Sequence, residues 1–185
     1  IPELNSSDQR RLSFAFQDLQ IKEIQDFEYS KYPLKLNLGC GFDKRNGYLN
    51  IDFQAFHKPD LVADIRSLGM LPSGKYEEVM AQDVLEHLHQ VDVILALDEW
   101  HRLLMPNGIL KLRIPNLAGI LKLFESRSDH ENLLPLLFGT QAYNGDYHLT
   151  GFTKELIAHY LNSCGFKDII IMEKDVWLLE INSKK

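Results

Sequence analysis

The 185-residue sequence predicts an open α/β sheet of mostly parallel strands. Three observations predict it. Short apolar runs between residues 34 and 83 each stop at a glycine or an aspartate, helical patterns separate the later runs, and Pro and Gly mark the joins. Ligands of such sheets sit beyond the carboxyl ends of the strands. The strand-terminal Gly and Asp residues are therefore expected along one edge.

Residues 8–27 carry Leu12, Phe16 and Leu19 at helical spacing, after the candidate caps Ser6, Ser7 and Asp8. They read as an amphipathic helix within an N-terminal extension, residues 1–33, closed by the stretch 30–33. Residues 34–185 form the domain proper. Leu34, Leu36 and Leu38 alternate with Lys35 and Asn37, a short strand that runs into Gly39-Cys40-Gly41. A second strand, 48–51, stops at Asp52; a third, 61–63, stops at Asp64; a fourth, 78–81, stops at Gln82-Asp83. Residues 91–104 read as a helix, and Pro106-Asn107-Gly108 turns into a fifth strand, 109–114. Residues 117–124 look helical, and 126–150 read as a polar, irregular stretch with one apolar knot, 133–138. Thr153 suits an N-cap, with Phe152 and Ile157 as its hydrophobic staple and Gly165 as the stop. Two last strands fall at 168–172 and 176–181.

Composition narrows the function. At 45% hydrophobic residues the chain can bury one sizeable core. Twenty basic residues against 26 acidic ones, with no Lys or Arg run, make nucleic acid a poor partner. No apolar stretch is long enough to span a bilayer, so no membrane partner is expected either. Cys40 and Cys164 make no disulfide framework, which suits a cytoplasmic location. The first residue, Ile1, is not an initiator Met, which leaves room for an upstream domain; a homo-oligomer is the other partner in view.

The two glycines after the first strand let the backbone turn and approach a ligand closely. Asp52 ends the next strand, where a carboxylate can accept both hydroxyls of a ribose. Asp64 ends the third, near where an adenine would lie. Each feature alone is an ordinary strand end; in order, they point to a nucleoside-containing ligand.

Five segments then resemble one family. Leu36-Asn37-Leu38-Gly39-Cys40-Gly41 resembles the glycine-rich first motif of class I S-adenosylmethionine-dependent methyltransferases, and Asn50-Ile51-Asp52 their acidic second-strand end. Residues 81–88, 103–110 and 148–166 resemble their fourth-strand segment, the turn into strand five, and the last-helix block. The resemblance implies a Rossmann-like, mostly parallel seven-stranded sheet with helices on both faces and an antiparallel last strand beside the fifth. It implies S-adenosylmethionine as cofactor, S-adenosylhomocysteine as product, and a small-molecule or sugar-like methyl acceptor. By position it places Gly39, Cys40 and Gly41 along the methionine and ribose, with Asn37 where many relatives carry an acid. Asp52 then meets the ribose hydroxyls with Phe53 beside the adenine, Asp64 and Ile65 meet the adenine edge, Gln82 and Asp83 lie under the methionine end and sulfonium, and Val84 and Leu85 follow as apolar lining. Only six residues, 42–47, separate Gly41 from the second strand, so the first crossover is shortened to a turn.

For catalysis, His87 and His148 are the candidate base or acceptor contacts, and Tyr143 and Tyr147 candidate acceptor-pocket residues. Glu86 reads as a solvated or structural neighbour. No metal is expected: His87 and His89 are two apart, on different faces of a helix, and no HExxH or paired CxxC occurs. Two other readings stay open, a catalytically inert cofactor-binding domain of a larger enzyme and a nicotinamide-dependent oxidoreductase.

Overall fold

The computed structural model describes residues 28–143 and 145–185; the helix expected at 8–27 lies outside the described residues. Seven strands form one sheet: β1 (Lys35–Leu38), β2 (Leu49–Asp52), β3 (Leu61–Val62), β4 (Tyr76–Gln82), β5 (Leu104–Pro115), β6 (Lys167–Lys174) and β7 (Leu178–Lys184). Their order is β3-β2-β1-β4-β5-β7-β6. Strands β1 to β5 pair in parallel, and β7 runs antiparallel between β5 and β6, the topology that the resemblance implies.

Among the described residues, every α-helix comes after β4: α1 (Gln90–Leu103), α2 (Leu117–Ser126), α3 (His130–Phe138) and α4 (Lys154–Ser163). The connections 39–48, 53–60 and 63–75 hold only turns and one 3-10 turn, Ala55–His57. The short first crossover is thus made without a helix, and so are the next two.

Alternation along the strands builds the core. Leu36, Leu38, Val79, Ala81, Leu110 and Leu112 bury one face with Val93, Leu97 and Trp100 of α1 and Ile157 and Leu161 of α4. On β4 and β5, Glu78 and Lys111 alternate with these residues and pair with each other at 2.8 Å. Helix α4 is capped as its sequence suggests. Thr153 Oγ1 accepts the Leu156 N–H at 3.3 Å, and Phe152 and Ile157 are both fully buried. At its other end Phe166 N–H reaches Leu161 O and Gly165 N–H reaches Asn162 O, each at 3.0 Å.

The stretch expected to be irregular, 126–150, contains helix α3 with Pro135 inside it. A proline is unfavourable there, because it supplies no N–H to the ladder. Of the apolar run around it Leu133 is buried, while Leu134 and Phe138 stay exposed. The β6–β7 turn is unusual. Asp175 and Val176 both take positive φ, 52° and 69°, and Asn116 at the end of β5 holds the turn from outside. Its backbone N–H donates to Trp177 O at 2.7 Å and its side chain to Val176 O at 3.0 Å.

Candidate active site

A cavity of about 690 Å³ opens at the carboxyl ends of β1, β2 and β4. Its walls include all eleven positions expected to meet the cofactor, from Asn37 and the Gly39–Gly41 turn through Asp52, Phe53, Asp64 and Ile65 to Gln82, Asp83 and Val84. His87 and Tyr143 also line it; His148 and Tyr147 do not.

The two glycines of the first turn differ. Both have positive φ, 61° at Gly39 and 49° at Gly41. A Cβ at Gly39 would lie 2.6 Å from Val84 Cγ2, so this glycine lets the first turn seat against the loop after β4. At Gly41 a Cβ would meet nothing within 4 Å, so Gly41 leaves open space beside the chain. Between them Cys40 is buried, and burial, with Asp52 nearby, pushes its thiol up to about 11. It is not a nucleophile.

Asp52 is buried, and its carboxylate already organises the turn. Oδ2 accepts the Gly41 N–H and Oδ1 the Gln54 N–H, both at 2.8 Å. The buried ring of His57 brings Nδ1 to 3.1 Å from Oδ1, but neither of its ring nitrogens makes a well-directed hydrogen bond. Phe42 and Phe56 pack on that ring at centroid distances of 4.6 and 4.1 Å, and Tyr143 stands edge-on to it at 5.7 Å. Phe53 stays exposed on the cavity wall, with Gly145 of the far loop against its ring edge.

Some expected residues are engaged in holding the wall. Asn37 donates its amide to Asp43 O at 2.8 Å and to Asn50 Oδ1 at 3.0 Å, which braces the first turn. Asp64 is tied to Arg66, whose guanidinium holds its carboxyl below the usual range and also reaches Asp92 at 2.6 Å. Ile65 O accepts the Trp100 indole N–H at 3.0 Å, linking this wall to α1. Gln82 accepts from Arg45 at 2.7 Å, and Asp83, at φ 54°, pairs with Arg113. Sequence reasoning missed His57, Arg66 and Arg113. They follow, by a few residues or across a strand, the acids that were found.

The far wall comes from Tyr143, Gly145, Asp146 and Leu149, and residues 147–150 fold back over the turn at Leu85–His87. Leu149 N–H and Thr150 N–H both donate to Glu86 O, at 2.7 and 3.1 Å. His87 Nδ1 faces Tyr147 O at 3.1 Å, His148 Nδ1 faces Leu136 O at 3.2 Å, and the two rings meet edge-to-face at 5.0 Å. The His87 contact is therefore long-range, not a local helix-start bond. Tyr147 contributes its carbonyl here, while its ring is exposed outside the cavity wall. Glu86, read from sequence as a solvated or structural neighbour, is only 1% exposed. Burial raises its carboxyl to about 8; the backbone N–H groups of Glu86 and Val84 temper this, yet neither oxygen receives a well-directed hydrogen bond. Burial and the neighbouring His87 lower His148 and keep its ring neutral near pH 7.

Residues 36–112 match the methyltransferase domain family. Over these residues the chain is similar to the methyltransferase domain, and the match covers less than half of its 185 residues. Solved methyltransferases share its fold. A S-adenosylmethionine-dependent methyltransferase of Archaeoglobus fulgidus superposes with a TM-score of 0.60 at 14% identity, over 85% of this chain and 88% of that one. The 1,6-didemethyltoxoflavin-N1-methyltransferase of Burkholderia thailandensis, with its substrate and S-adenosylhomocysteine bound, superposes at 0.54 and 14% identity, over 85% and 73%. A Bordetella parapertussis protein described as a possible exported protein reaches 0.61 at 14% identity over 83% of this chain, which spans 62% of its length. No curated protein matches the sequence. Among the described residues, no helix is long and apolar enough to cross a membrane.

Proposed function

We propose that this methyltransferase domain transfers the methyl group of S-adenosylmethionine to a small polar or sugar-like acceptor. One observation carries the reading: eleven positions chosen by motif converge on one cavity at the expected edge of the sheet. The residues present fit the cofactor. Gly41 leaves the space a backbone-hugging ligand needs, Asp52 keeps lone pairs for a diol beyond those its two N–H donors use, and Phe53 offers an exposed ring face.

When bound, S-adenosylmethionine supplies an electrophilic methyl group on a sulfonium that is its own leaving group. The chain's contribution is to orient and to exclude water. Gly41 and Asp52 would fix the ribose end, and the Asp64–Ile65 corner, braced by Arg66 and Trp100, the adenine end. His87 would meet the acceptor, its Nδ1 turned to a carbonyl so that the Nε2 lone pair is free for a proton or a cation.

The volume, near 690 Å³, is in the range that accommodates a ligand with room beside it for a modest acceptor. The lining mixes Asp43, Asp83, Asp92 and Asp146 with Arg66 and Arg113, which favours a polar acceptor and disfavours a polyanion. We place the domain in the cytoplasm on its two unpaired, buried cysteines. Calorimetry with S-adenosylmethionine and S-adenosylhomocysteine, with NADH as control, tests the core of this. Saturable binding of the first two alone, with Kd on the order of micromolar, is expected; binding of NADH alone would overturn it.

A further inference from the structure

We propose that Glu86, His87 and His148 form a binding site for one divalent transition-metal ion, of the zinc, manganese or iron kind, at the acceptor end of the cavity. As an acceptor site it rests on reading the cavity as a methyltransferase site; as a metal site it rests on geometry alone.

The three side chains come from two segments 60 or so residues apart, and one ligating atom from each lies within 4.8 Å of the others. Both imidazoles are turned the same way. Each points Nδ1 at a backbone carbonyl, Tyr147 O at 3.1 Å and Leu136 O at 3.2 Å, which fixes Nδ1 as the protonated nitrogen and leaves an Nε2 lone pair. Metal-ligating histidines are oriented by this kind of bond. Between them Glu86 keeps both carboxylate oxygens buried and without a hydrogen-bond partner. A buried carboxylate in that state needs a proton or a cation. Two imidazoles with a free nitrogen each and a carboxyl group gathered this closely offer three ligand atoms that a single cation can satisfy.

The backbone holds the set in place. Leu149 and Thr150 both donate to Glu86 O, and Thr150 Oγ1–H donates to Leu88 O at 2.7 Å, so the segment bearing His148 is clamped on the turn bearing Glu86 and His87. Two imidazoles and one carboxylate are the donor set of catalytic zinc sites and of several other first-row metals, and leave coordination positions open. Bonds of ~2.0–2.2 Å put ligand atoms roughly 3–3.5 Å apart, so side-chain rotations would draw the three inward. His87 lines the cavity while Glu86 and His148 stand behind it, so the open position is reached from the cavity. The ligand class is then an acceptor that presents oxygen, a hydroxyl or carboxylate, to a hard or borderline cation.

The test uses the full chain freed of metal with a chelator and titrated with Co2+, read by its visible ligand-field absorption, then displaced with Zn2+. One ion per chain is expected, with binding weakened by about 100-fold or more in Glu86→Gln and in His148→Gln. His159→Gln, on the exposed side of α4, should leave binding unchanged. No saturable absorption, or equal affinity in Glu86→Gln and His148→Gln, overturns the site and leaves Glu86 as a protonated acid. Glu86→Gln keeps the shape and removes only the carboxylate ligand, so it carries the test if His148→Gln fails to fold by circular dichroism. Calorimetry with S-adenosylhomocysteine on the metal-free chain separates the two readings. Co2+ binding without cofactor binding keeps the metal site and overturns the proposed activity, and cofactor binding without Co2+ does the reverse.

Discussion

The two halves of the sheet are built by different means. From β4 onward, helices cover the strands and the stabilising contacts are apolar: Trp100, Leu97, Phe152 and Leu161 are all fully buried. From β1 to β3, the connecting segments contain no α-helix among the described residues, and their backbone groups need other partners. Side chains supply them. Asn50 accepts the Arg45 N–H and its own amide reaches Asp60 at 2.7 Å; Asp52 holds the Gly41 and Gln54 N–H groups; Asn37 and Arg66 brace what remains. Asn37, Asn50 and Asp52 are each 4% exposed, so these are buried polar residues doing the work that a helix does for itself. One half is stabilised by packing. The other is shaped by hydrogen bonds, and its loops form one side of the cavity wall.

Four substitutions test that contrast. Trp100→Ala should cost most, about 3–5 kcal/mol, through its buried ring and its bond to Ile65 O. Denaturant unfolding reads this, and a cost below about 2 kcal/mol would mean the helical half is not held by its core. Asp52→Ala should lower the affinity for S-adenosylhomocysteine by about 1.5–3 kcal/mol, the worth of hydrogen bonds to a charged group, with a smaller change in stability than Trp100→Ala. Unchanged affinity in calorimetry would remove Asp52 from the cofactor site. For Asn50→Ala the expected cost is about 1–3 kcal/mol, because Arg45 N–H and Asp60 lose a partner. Hydrogen exchange should quicken in 41–48 but not in α1 or α4; uniform quickening would show that the halves melt as one unit. Thr153→Ala, a lost cap, should cost about 1 kcal/mol and leave cofactor affinity unaltered. An affinity change there would couple the two halves more tightly than their construction suggests.

The strands and the edge at which they end were legible because they are local, whereas the place of the last strand beside the fifth came only from the family resemblance. Apolar alternation sets Leu36 and Leu38 inward, and a Gly or Asp at a strand end announces its position. Helix α3 was less legible, since Pro135 is unfavourable inside a helix and only Leu133 of its apolar run is buried. What spacing could not reveal was the company of Glu86. Counting histidines along the chain compared His87 with His89, two residues away, whereas the ring that meets His87 is His148, carried there by a long segment folding back. The role of Asn37 was hidden for a similar reason: its partner Asn50 is local in sequence, but only the helix-free crossover brings the two side chains together.

The turn between β6 and β7 bears on how the chain folds. Val176 is β-branched and holds φ at 69°, a conformation that costs free energy in an isolated peptide. A hairpin with an easy turn forms alone in ~1–10 μs. This one leans on Asn116, whose bonds to Val176 O and Trp177 O exist only once β7 lies against β5. Strand β6 is synthesised before β7 but sits outside it, so it has no edge to join until β7 is seated. Formation of the hairpin and completion of the sheet are therefore one event, and β5 carries an open edge until it occurs, the interval in which the folding chain is most exposed to pairing with another.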